Sequence, residues 1–135
     1  MSTSDRVALL SPAGLAFVTD RHLATLTTLR PDGSPHVTPA GFTWDAAAGR
    51  AFVICSGASR KARNVGAGGP VVLCQVDGRR WLTLEGTGRM SADPAAVADA
   101  VDRYARRYRQ PRVNPARVVI IVDVARALGS PGVLG

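Results

Sequence analysis

One run constrains this chain more than any other: Val118-Val119-Ile120-Ile121-Val122-Asp123-Val124. Six of its seven residues are apolar and β-branched, which favours a strand over a helix. Alternate strand residues face opposite ways, so a run apolar at both parities needs cover on both faces. It is expected to be sandwiched inside the domain or laid against a second subunit. A chain of 135 residues supplies one domain with a proper core, read as 1–135 with its folded part at about 11–129.

The rest of the chain is cut into short pieces by turn residues. Ser11-Pro12 reads as an N-cap followed by proline at the first helical position, opening a short helix to about Thr19. His22–Arg30 reads as a strand ending at Pro31-Asp32-Gly33-Ser34, and Pro35–Asp45 as its hairpin partner. On that partner His36, Thr38, Ala40, Phe42 and Trp44 share one face. Pro39 cannot donate to a ladder and marks an edge or a bulge, while Gly41 admits close approach to the backbone. Arg50–Ile54, Pro70–Val76 and Trp81–Arg89 are further strands, with Asp77-Gly78 a hairpin turn and Gly86 and Gly88 at a bend. Asp93-Pro94 opens a helix whose stripe is Val97, Val101, Tyr104 and Tyr108. Arg103, Arg106 and Arg107 lie off that stripe on a solvated face, with contact to an acidic ligand as the other reading. Six antiparallel strands with few short helices indicate a small β-barrel.

The chemistry concentrates in Cys55-Ser56-Gly57-Ala58-Ser59-Arg60-Lys61-Ala62-Arg63-Asn64. Ser59 is an N-cap, and Arg60, Lys61 and Arg63 crowd the first turns it starts. Cations are unfavourable there unless an anion sits between them, so this segment reads as a phosphate cradle without Walker spacing. A solvated basic helix end is the alternative. A net charge of +7 also asks for an acidic partner, nucleic acid or a polyanionic small molecule. With seven aromatic residues, most placed in the core, nucleic acid lacks a stacking platform. Cys55 and Cys74 read as buried free thiols, and His22 and His36 alone make no metal site. No run is long enough to span a membrane, and Met1–Leu10 lacks the apolar core of a leader, so a cytoplasmic protein is expected.

The order of elements, with a basic Ser-Arg-Lys segment after the third strand, resembles the split β-barrel of the pyridoxamine-phosphate-oxidase-like flavin and deazaflavin proteins. Three stretches carry it further: His22–Arg30, Gln75–Gly86 and Arg103–Pro115. They resemble the actinobacterial deazaflavin-dependent reductases, most closely the subgroup that reduces biliverdin with reduced coenzyme F420. The likeness runs from about Ser11 to Gly129. It implies a homodimer with cofactor grooves along the subunit interface. It assigns the cofactor phosphate to Ser56, Ser59, Arg60, Lys61 and Asn64, and the ring to the backbone of Thr38-Pro39-Ala40-Gly41. Gln75, Arg80 and Trp81 would approach from the other subunit, though Trp81 also reads as plain core and Arg80 as a solvated turn residue. Hydride chemistry would belong to the cofactor, and no side chain stands out as an obligatory acid. An FMN-dependent enzyme on the same barrel, or a non-catalytic cofactor or haem carrier, are the other classes. Glu85 reads as structural, paired with an arginine.

Overall fold

The computed structural model describes residues 9–134, so the reading of Met1–Leu10 lies largely outside the described residues. The elements are α1 (Pro12–Thr19), β1 (Ala24–Leu29), β2 (Pro35–Ala40), β3 (Thr43–Asp45), β4 (Arg50–Ser56), α2 (Arg60–Val65), β5 (Gly69–Asp77), β6 (Arg80–Ser91), α3 (Pro94–Arg107) and β7 (Arg117–Gly129). The strands form one sheet in the order β2-β1-β5-β6-β7-β4-β3. Every pairing is antiparallel.

That order forces the shape. β2 and β3 occupy opposite edges of the sheet, yet only Gly41 and Phe42 separate them in sequence. Three Cα steps reach about 11 Å at most. The sheet must therefore curl until its two edges nearly meet, and no ladder joins β2 to β3 across the seam. The result is a barrel split along one side. The strand expected over Pro35–Asp45 is thus two strands, which raises the count from six to seven. His36, Thr38 and Ala40 belong to one edge, and Trp44 to the other. The apolar alternation continues through the break, so periodicity alone could not reveal it.

β7 meets the demand of its apolar run inside the protomer. Val118 to Val122 are all buried, as is Val124. Ile120, Val122 and Val124 join Leu26, Leu73, Leu82, Leu84 and Val53 in the barrel interior. Val119 and Ile121 form a second cluster with Ala100 of α3. The helix supplies the outer cover, so this strand needs no second subunit. Between β6 and β7 the register slips at Glu85/Gly86. A Cβ at Gly86 would stand 2.1 Å from the Asp123 carbonyl oxygen, so the bulge brings the two backbones together where only glycine fits.

The caps follow the sequence. Ser11 accepts from Gly14 N at 3.1 Å, Ser59 from Ala62 N at 3.4 Å, and Asp93 from Ala96 N at 3.1 Å. Pro39 sits on the edge strand, where a missing donor costs nothing. Glu85 pairs with Arg126 at 2.7 Å. Cys55 and Cys74 are free but half-buried rather than enclosed. Among the described residues no helix is long and apolar enough to cross a membrane.

Candidate functional site

The seam between the barrel edges opens a cleft of about 300 Å³. Pro39, Ala40 and Gly41 line it from the end of β2, and Ser56 and Lys61 from the β4–α2 connection. The two segments read separately as ring support and phosphate cradle therefore share one cavity. Local chemistry explains how. β4 ends at Ser56, Gly57 N donates to Ala116 O at 2.9 Å, and Ser59 Oγ donates to Ser56 O at 2.7 Å while capping α2. This tight turn delivers Lys61 beside Cys55 and Ser56.

Lys61 is half-buried, and the basic residues around it stand unneutralised. Among the described residues, no carboxylate lies in ion-pair contact with Arg60, Lys61 or Arg63. A half-buried ammonium without a counter-ion favours an anionic ligand. The donor set of the cleft thus fits a phosphate. Burial pushes the Cys55 thiol up, against a weaker pull from Ser59 and Lys61, so it stays protonated at neutral pH and is no nucleophile.

Other expected residues fall elsewhere. Thr38 is half-buried on β2, just beyond the cleft lining. Arg60 is exposed. Asn64 donates to Thr28 Oγ1 at 3.0 Å, turned toward β1. Arg80 is bound to Asp77 at 3.1 Å and stacks over the Phe17 ring at 4.8 Å. Trp81 is 39% exposed on the outer face of the sheet, not core. Gln75 corrects the expectation outright. It is 1% exposed, its amide nitrogen donates to Phe17 O at 2.7 Å, and its oxygen accepts from Arg107 at 2.7 Å. Pointing inward between α1 and α3, it cannot reach a neighbouring subunit.

Arg107 is the second correction. Instead of lying on a solvated face, it is 8% exposed. Its Nε donates to Asp20 O at 2.9 Å, Nη1 to Phe42 O, and Nη2 to Gln75 Oε1. Desolvation pulls its pKa down, opposed by Tyr108 and Asp20. Arg103 is also withdrawn, bonded to Asp99 at 2.9 Å and Asp45 at 3.4 Å. Arg106 alone of the three is exposed.

Gly41 is explained by the same helix. A Cβ there would lie 3.0 Å from the Tyr108 ring and 3.1 Å from Tyr104. The close approach it permits is that of these tyrosines, which press on the segment lining the cleft. Tyr108 Oη donates to His22 O at 2.7 Å and accepts from Phe42 N at 3.2 Å. Burial raises its pKa, keeping it a phenol able to do both. Tyr108 and Arg107 together fix the Gly41–Phe42 crossing.

Tyr104, Asn114 and Arg117 also line the cleft, and sequence reading had not singled them out as site residues. Asn114 Nδ2 donates to Ser56 Oγ at 3.0 Å, and its Oδ1 accepts from Ala116 N at 3.0 Å. The Asx-turn pattern Asn114-Pro115-Ala116 was readable; its placement against Ser56 is a long-range event.

Comparison with known proteins identifies the family and the fold. The chain is 52% identical over 134 residues to a protein of Mycobacterium tuberculosis (strain CDC 1551 / Oshkosh) named F420H(2)-dependent biliverdin reductase, covering 99% of this chain and 98% of the other. A solved structure described as an F420 reductase superposes with a TM-score of 0.68 at 26% identity, covering 84% of this chain and 94% of that one. A conserved hypothetical protein of Mycobacterium tuberculosis shares the fold with a TM-score of 0.69 at 23% identity, over 90% and 86% of the two chains. The sequence profile described as pyridoxamine 5'-phosphate oxidase matches residues 10–130, nearly the whole barrel. The chain belongs to the pyridoxamine 5'-phosphate oxidase family.

Proposed function

We propose that this protein is a cytoplasmic, homodimeric reductase that passes a hydride from reduced coenzyme F420 to biliverdin, giving bilirubin. The observation that carries the reading is the single cleft shared by Pro39–Gly41 and Ser56/Lys61, in a chain 52% identical to a reductase of that name. When bound, the deazaflavin supplies a two-electron hydride donor. The protein's part is positional. Lys61 and the Ser56 hydroxyl hold the phosphate, with Ser59 and Asn64 shaping the turn and Arg60 adding charge at its rim. Thr38 to Gly41 back the ring, held in place by Tyr104, Tyr108 and Arg107. Among the described residues no carboxylate lines the cleft and burial keeps the Cys55 thiol protonated, so no side chain stands out as the acid, and water is one source of the proton that follows the hydride. The free thiols suit a reducing compartment.

The test is an anaerobic assay with reduced F420, following loss of biliverdin and gain of bilirubin absorbance. Turnover is expected with F420 and not with a nicotinamide. If arginines hold the propionates, added salt raises KM more than it lowers kcat. Reduction of quinones with biliverdin untouched would retain the cofactor and reject the substrate. A parallel titration with FMN separates the two cofactors: equal or tighter FMN binding rejects F420.

The dimer rests on the outer face of β2-β1-β5-β6-β7, not on β7's apolar run. Cross-strand register puts Val37, Thr27 and Val72 in one row, and Pro39, Thr25, Cys74, Thr83 and Leu128 in the next. Val76 and Trp81 lie beyond. Val37 is 58% and Val76 54% exposed, and the ion pairs of this face, Glu85–Arg126 and Arg89–Asp123, lie on β6 and β7, away from β2, β1 and β5. A sheet face so poor in charge suits a second copy, bringing its Trp81 and Arg80 to the neighbouring groove. Light scattering at micromolar concentration is expected to give twice the monomer mass, and Val37→Lys to shift it toward one. A monomer with full cofactor affinity contradicts the assignment.

A further inference from the structure

Asn114 lines the cleft from the loop before β7, and its side-chain amide is held at both ends. Oδ1 accepts from Ala116 N at 3.0 Å, and a backbone N–H can only donate, so the amide cannot be turned round. Nδ2 is therefore the atom that faces Ser56, and it donates to Oγ at 3.0 Å. The backbone anchors the same arrangement. Arg117 N donates to Asn114 O at 3.1 Å, and Gly57 N to Ala116 O at 2.9 Å. Gly57 follows Ser56 directly, so the loop and the β4–α2 turn are tied by main chain as well as by amide.

That fixed amide decides what Ser56 can offer. A serine hydroxyl has one proton and two lone pairs. With Asn114 donating into one lone pair, the proton points elsewhere, and among the described residues nothing accepts it. Ser59 Oγ bonds the Ser56 carbonyl and leaves the hydroxyl untouched. The proton is left for whatever fills the cleft that Ser56 lines. Lys61, on the same wall, is likewise a donor only. An ionised phosphate, as ester or diester, presents only acceptors, so every group it meets here is of the right kind.

We propose that Asn114 is a positioning residue for the cofactor phosphate, holding the Ser56 hydroxyl as a donor into the cleft before the ligand arrives. The proposal rests on the assignment of that phosphate to Ser56 and Lys61. Two ligands and a double-variant cycle test it. The ligands are a deazaflavin ending in its phosphate and the same molecule without it, titrated by fluorescence. The proteins are wild type, Asn114→Ser, Ser56→Ala and the double variant. Serine at 114 keeps an oxygen to accept from Ala116 N but is too short to reach Ser56. Ser56→Ala is expected to weaken the phosphate-bearing ligand about tenfold or more, the loss of a charge-assisted hydrogen bond. Asn114→Ser is expected to weaken it about three- to tenfold, since the hydroxyl remains but is no longer pre-aimed. The double variant should match Ser56→Ala within about twofold, because Asn114 acts through that hydroxyl. The phosphate-free ligand should bind all four proteins within about twofold. Should Asn114→Ser not fold, Asn114→Ala enters the same cycle. If wild type binds both ligands alike, the phosphate assignment falls and the proposal with it. If wild type prefers the phosphate but the two losses add, or the phosphate-free ligand shares the Asn114→Ser loss, the assignment stands. Either result overturns the proposal alone and leaves Asn114 a support of its loop.

Discussion

Arg107→Met is expected to destabilise the fold by about 2–4 kcal/mol, from a buried acceptor left without its donor and the loss of a side chain bonded to three elements. The guanidinium lies over the Phe42 ring at 4.7 Å and the Tyr108 ring at 5.0 Å, and its three nitrogens serve three acceptors. Methionine fills the volume but donates nothing. It strands Gln75 Oε1 in the interior, at about 1–3 kcal/mol before relaxation, and takes a donor from Phe42 O, which keeps Tyr108 Oη at 3.4 Å, and from the part-buried Asp20 O. Arg107→Lys should recover less than half, because one ammonium cannot reproduce the fork. Adding Gln75→Leu to Arg107→Met removes one stranded acceptor, so the double variant should be more stable than the sum of the singles allows. Urea denaturation of wild type, Arg107→Met, Arg107→Lys, Gln75→Leu and the double variant measures this. A loss below about 1 kcal/mol for Arg107→Met would show that the network carries little of the fold. The structure also links this network to the cleft, since the Phe42 carbonyl held by Arg107 adjoins Gly41.

Much of this architecture was legible because turn chemistry and alternation are local. Pro31–Ser34 and Asp77-Gly78 closed hairpins where expected, with Asp32 accepting from Ser34 N at 3.0 Å. The pairs Ser11-Pro12 and Asp93-Pro94 opened helices at the expected residues. What escaped was non-local. The crossing at Gly41–Phe42 keeps the strand's two-residue alternation, so nothing in the hydrophobic pattern reports that the chain has changed edges. Gln75 continues the inward series Val71, Leu73, and pattern alone places it inside; resemblance to a family groove drew it outward. Arg107 stands three residues after Tyr104 and seven after Ala100, on the buried side of α3. Its position gave the signal, and its charge masked it. The cover of β7 by that helix depends on tertiary packing, so the same apolar run was open to reading as a subunit contact.

Lys61 is the only lysine among 17 basic residues, and its replacement by alanine should have the largest effect on cofactor binding. Its ammonium is half-buried in the cleft beside Cys55 and Ser56, without a carboxylate partner among the described residues. Losing a charge-assisted hydrogen bond there should weaken F420 binding by about 1.5–3 kcal/mol, or about 10- to 150-fold. Stability should hardly fall, because the change breaks no ion pair among the described residues. This separates Lys61 from Arg107, whose loss harms the fold itself. Arg60→Ala, at an exposed position, should cost less than tenfold and mostly at low salt. Fluorescence titration of F420 against wild type, Lys61→Ala and Arg60→Ala decides the ranking. The single ε-amine offers an independent check: after reductive ¹³C-methylation its signal should shift on F420 binding and respond less to a deazaflavin lacking the phosphate. Unchanged affinity in Lys61→Ala, or a methyl signal indifferent to the phosphate, would move the phosphate site away from the β4–α2 turn.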